Sequence, residues 1–188
     1  MSTTSILSRE RPERCCDTAA GTSRVTPAST TAASTIRPAG PPLCLIGSWR
    51  TVDETFMIEF YDDRPKIRFT GNSRHFEFRP DGTALETQDN VVLTAQYDGR
   101  ELRLVGNGTA TYTWTAADHK ITYAARTKTD FTWSYYDQRG LINTERSGDE
   151  PALNEVDDYT CSGSSMLESS ANGYRSTWTR TSEYGVYG

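Results

Sequence analysis

From about Leu45 onward, apolar and polar residues alternate along most of the chain with a period of two rather than 3.6. In His75-Phe76-Glu77-Phe78-Arg79 the two phenylalanines share one face and His75 and Glu77 the other. Ala110-Thr111-Tyr112-Thr113-Trp114 likewise places Tyr112 and Trp114 together. The same rhythm predicts strands at Leu45 to Val52, Phe56 to Tyr61, Ile67 to Thr70, Thr83 to Thr87, Val91 to Tyr97, Glu101 to Val105, Ile121 to Tyr123 and Phe131 to Tyr135. It returns at Tyr159 to Ser162, Met166 to Ser169 and Gly173 to Thr181.

Pro80-Asp81-Gly82 and Asp98-Gly99 are hairpin signals, because Pro presets one turn angle and Gly accepts positive φ. No sustained run of Leu, Ala, Glu and Lys offers a long helix. The pattern therefore predicts an all-β fold, an antiparallel up-and-down barrel of about 8–10 strands. Closure is preferred to an open meander, whose two edges would be free to pair with other chains.

The first part of the chain has a different character. Residues 17–42 are dominated by Thr, Ser, Ala and Pro, which cannot bury enough apolar surface to offset the entropy of ordering. We expect a disordered leader over 1–43 and a barrel domain over 44–184. A functional alternative is that the leader acts as a lid or plug, with Ile6 and Leu7 as its apolar anchors. Residues 146–156, polar and containing a proline, read as a loop.

Composition supports the β assignment. Aromatics make up 11% of the 188 residues while apolar residues overall reach only 35%, a balance suited to half-buried pleated strands. The formal net charge of −5 and the lack of a Lys/Arg block argue against a nucleic-acid partner. No apolar stretch is long enough to span a bilayer. The segment Met1 to Arg9 has no apolar core of a secretory signal, which points to the cytoplasm. Four cysteines are present. Cys15 and Cys16 are neighbours in the leader, whereas Cys44 lies just before the first strand and Cys161 within a late one, strands that a closed barrel could bring together. A bridge between Cys44 and Cys161 is geometrically reasonable, but it needs an oxidising compartment that the missing signal does not provide. No Cys/His spacing suits zinc, and no cofactor motif is present, so neither metal nor cofactor is expected.

Gly47-Ser48-Trp49 on the first strand, with Trp178-Thr179-Arg180 on the last, resembles the calycin superfamily of lipocalins and fatty-acid-binding proteins. The Cys44-to-Trp49 opening and Tyr159-Thr160-Cys161-Ser162-Gly163 also look like small actinobacterial secreted or lipid-anchored proteins of that form. The resemblance implies a lipocalin-like barrel in which Trp49 plugs one end and Arg180 packs across its ring. It also implies an extracellular location as the alternative to the cytoplasm.

Such a barrel is either filled by side chains or holds one small ligand. Phe76, Phe78, Tyr112, Trp114, Tyr123, Phe131, Trp133 and Tyr135 are the candidate lining, and they serve equally as a packed core. His75 and His119 are the two side chains that titrate near neutrality when unperturbed, and both read as solvated. With no nucleophile or paired-carboxylate motif, no catalytic residue is nominated. The expected function is binding of a hydrophobic or amphipathic small molecule by a monomer or weak dimer. A cofactor-independent pericyclic cyclase, working by preorganising its substrate, is the first alternative. A fully packed structural or interaction module is the second.

Overall fold

The alternation folds into ten antiparallel strands. A computed structural model describes residues 42–62 and 64–182. The strands are β1 (Gly47–Ile58), β2 (Ile67–Gly71), β3 (His75–Phe78), β4 (Thr83–Tyr97), β5 (Arg100–Ala117), β6 (Lys120–Asp137), β7 (Gly140–Ser147), β8 (Glu155–Ser162), β9 (Ser165–Ser169) and β10 (Arg175–Ser182). There is no helix among the described residues. The leader's residues 1–41, with Cys15, Cys16, Ile6 and Leu7, lie outside them.

Chain neighbours are sheet neighbours almost throughout, and β10 pairs with β1 to close the sheet into a ring. Two positions in the ring are each filled by a pair of short strands. β2 and β3 pair with opposite halves of β1, and β7 and β8 with opposite halves of β6. The break between β2 and β3 holds Ser73 at φ 79°. Thr51 of β1 anchors it, accepting the Arg74 backbone N–H on its Oγ1 at 2.9 Å.

The strands are longer than the sequence pattern predicts. Six expected short strands merge pairwise into β4, β5 and β6, and the Phe56 segment merges into β1. Gly106-Asn107-Gly108 is accordingly strand interior. A Cβ on Gly106 would press on the Trp133 indole at 2.8 Å, so glycine permits that close approach. In β4 the join is a bulge: Gln88 pairs with Gly108 and Val91 with Gly106, so Asp89 and Asn90 together oppose Asn107. Asn107 Oδ1 accepts the Asn90 backbone N–H at 2.8 Å. The bulge shifts β4's buried positions from Ala84, Glu86 and Gln88 to Val91, Leu93 and Ala95, keeping one face inward throughout. β7 is a further strand, exposed nearly throughout, and it takes the first two residues of the expected 146–156 loop. Its exposed residues carry no inward rhythm that a sequence reading could detect.

Two apolar clusters fill the inward face. The first gathers Trp49, Phe78, Ala110, Trp114, Ile121, Met166 and Trp178 with their neighbours. The second centres on Phe69, Val91, Leu93, Leu102 and Leu104. Where the first cluster meets the β1–β10 closure, Trp49 is fully buried and its indole N–H donates to Leu45 O at 2.8 Å. Arg180 lies over the ring, Cζ 4.3 Å from the centroid, and donates to Ile46 O and Cys44 O, both at 2.6 Å. Gly47, at φ +129°, leaves room for that guanidinium, since a Cβ would stand 2.6 Å from it. A disulfide joins Cys44 to Cys161 of β8 across 117 residues.

Candidate functional site

Between the two clusters lies a cavity of about 190 Å³. Its lining includes the apolar Phe56 and Ile58 from β1 and Phe76 from β3. It also includes Glu155 and Asp157 from β8, Glu168 from β9, and Tyr174 just before β10, whose ring packs on Phe56 at 5.1 Å between centroids. Arg74 from the β2–β3 break also lines it, and Lys66 stands exposed beside it.

Arg74 organises the buried polar groups. Its Nε donates to Glu54 Oε2 at 2.6 Å, one terminal nitrogen to Glu86 Oε1 at 3.2 Å, and the other to the Tyr174 hydroxyl at 2.8 Å. The guanidinium also lies 4.9 Å from the Phe56 ring centroid and 5.4 Å from that of Trp178. Burial works against this charge, but Tyr174, Glu54 and Glu86 outweigh it and hold the Arg74 pKa well above its ordinary value. Glu86 in turn accepts from Gln88 Nε2 and from the Tyr112 hydroxyl, each at 2.7 Å.

A second group surrounds Glu168. Its two oxygens accept from the Tyr123 hydroxyl at 2.7 Å and the Tyr174 hydroxyl at 3.0 Å. Burial, and then the neighbouring carboxylate, push Tyr112, Tyr123 and Tyr174 well above the ordinary phenol range, so all three are neutral donors. Burial also raises Glu168, against the pull of Tyr123 and Arg74. Asp157 is only 2% exposed and its Oδ1 has no hydrogen-bond partner. Burial, with Glu168 and Glu155 nearby, pushes its pKa up to about 7. Glu155 is raised as well, chiefly by burial. Two buried oxygens elsewhere in the network, Glu54 Oε1 and Gln88 Oε1, also have no partner. Among the described residues no group of three or more His, Cys, Asp or Glu is placed to hold a metal ion.

Of the eight aromatics nominated from the sequence, Phe76, Tyr112 and Tyr123 line the cavity. Phe78, Trp114 and Phe131 are buried in the first cluster, and Trp133 and Tyr135 pack partly buried against the second. His75 and His119 are exposed. The alternation did not single out Glu54, Arg74, Glu86, Asp157 or Glu168. Four of the five lie on strands, and three of those follow or precede a buried residue by two: Ala84 then Glu86, Asp157 then Tyr159, Met166 then Glu168. A carboxylate in the inward register was the available signal.

This chain matches no protein-family model and no curated protein. The function of the site is therefore argued from its geometry. No helix among the described residues is long and apolar enough to cross a membrane.

Proposed function

We propose that the ring binds a small amphipathic molecule in this cavity without changing it, in the manner of a lipocalin-like protein. The single observation that carries the reading is a cavity lined by both apolar and polar side chains between two otherwise packed clusters. The Trp49–Arg180 arrangement beside the strand closure supports the calycin comparison. At about 190 Å³ the cavity is smaller than the roughly 300–1,000 Å³ of drug-sized sites, so it favours a compact ligand. That size tells against folding a long polyene, as the cyclase alternative requires. The cavity itself tells against a fully packed module. The disulfide favours an oxidising compartment for the mature protein.

An NMR screen of small amphipathic molecules tests the proposal. Binders should shift the resonances of Ile58, Phe76 and Tyr123 and leave those around Trp133 unmoved. Ile58→Trp, which fills part of the cavity, should abolish those shifts while preserving the folded spectrum. Binding that persists in that variant, or maps to another surface, would overturn the proposal.

A further inference from the structure

We infer that the cavity takes an organic cation: a protonated amine carried on a compact apolar body. The inference rests on the binding reading above and names the chemistry of its ligand. Three carboxylates line the cavity, Glu155, Asp157 and Glu168, against the two cations Arg74 and Lys66. Arg74 is already held by Glu54 and Glu86 behind it. Lys66 is exposed, so its charge is largely screened by water. The cavity wall thus carries more carboxyl groups than cations.

The positions of the atoms point the same way. Glu168 is satisfied by two neutral phenols, which supply hydrogen bonds but no positive charge. Asp157 Oδ1 is buried with no donor, and a buried acceptor left unpaired is costly. An ammonium carries three donors and a full charge, so it meets both needs at once. Phe56, Ile58 and Phe76 in the lining would accept the apolar body, while the faces of the two rings are already occupied by the Arg74 guanidinium at 4.9 and 5.8 Å. An anionic ligand would face the same carboxylates as repulsion, and a neutral alcohol would leave the charge uncompensated.

Proton linkage follows. Asp157 is faced by Glu155 and Asp158 from its own strand, Glu168 from β9, Ser170, and Tyr123 from β6, with Tyr174 and Arg74 in the same lining. Of these, Glu168, Glu155 and Asp158 resist its ionisation while the Ser170 hydroxyl favours it. An ammonium beside Asp157 would favour its charged form, so binding releases a proton below about pH 7.

The test titrates the full chain with 2-phenylethylamine, 2-phenylethanol and 3-phenylpropionate at pH 5, 6, 7 and 8 and constant ionic strength, followed by NMR. The amine should bind in the cavity at least tenfold more tightly than the alcohol at pH 8, with the carboxylate weakest. Its affinity should rise by up to about tenfold per pH unit below 7 and level off above. Asp157→Asn should weaken the amine by about tenfold and flatten that profile while leaving the alcohol unchanged. Glu168→Gln is the second variant, expected to weaken the amine in the same direction. If alcohol or carboxylate binds as well as the amine, or the amine shows no pH dependence, the cation inference falls and the binding reading survives. If none of the three enters the cavity, both fall together.

Discussion

Asp157→Asn should make this protein more stable, by an amount that grows from about pH 4 to pH 7 and is complete above it. In the folded protein the Asp157 carboxyl is pushed from an ordinary value of 3.8 up to about 7 by burial, then by Glu168 and Glu155. Between those two values the folded chain holds a proton that the unfolded chain has lost. Stability therefore falls as pH rises through that window, and the whole penalty is present above pH 7. About three pKa units at 1.36 kcal/mol each set a ceiling near 4 kcal/mol. The cavity opens to solvent, which screens part of this, so we expect a gain of about 2–4 kcal/mol for the variant at pH 8. Near pH 4 the folded carboxyl is neutral and the unfolded one only partly ionised, so the difference should shrink to a fraction of its value at pH 8. Glu168 and Glu155 repel Asp157, so the variant also eases their own ionisation and the difference reports the coupled group. Urea titrations followed by tryptophan fluorescence at pH 4.5 and pH 8 give the difference directly. An equal gain at both pH values would refute the electrostatic argument, and so would a loss at pH 8. A residue that costs stability and faces a cavity is what a stability–function trade-off leads one to expect.

Two further predictions concern the packed end of the ring. Trp49→Ala should cost about 3–5 kcal/mol, because it empties a fully buried site and strips Arg180 of the ring beneath it; near-wild-type stability in denaturant would contradict that role. Replacing Cys44 and Cys161 together by Ser should cost about 2–5 kcal/mol, toward the upper end because the loop spans 117 residues, and a midpoint in urea unchanged from the oxidised parent would speak against it.

The sheet was legible in the sequence because side-chain period is a backbone property. Phe76 and Phe78, or Tyr112 and Trp114, declare an inward face whatever the rest of the chain does. Strand length was less legible, since glycines and polar residues inside β5 and β4 resemble turns until a partner strand supplies the missing hydrogen bonds. The cavity was the least legible. Glu86 and Glu168 sit in the inward register, but a charged residue there reads as a surface position unless its partner is known, and Arg74 lies twelve residues from one and on a break between strands. Glu54 was hidden further by a shift in pairing between Thr51 and Asp53, which swaps the buried parity of β1.

The extra residue in β4 makes that strand behave like a reading frame. Everything upstream of Asp89-Asn90 is phased to place Glu86 and Gln88 inward, and everything downstream to place Val91, Leu93 and Ala95 there. Deleting one of Asp89 and Asn90 would leave Gln88 and Val91 two apart, a regular ladder that keeps both halves inward on their present partners, whereas inserting one residue within 91–95 without a second bulge would turn the residues beyond it to water. The bulge is thus the spacer that lets one strand serve both cores across a break in its own alternation.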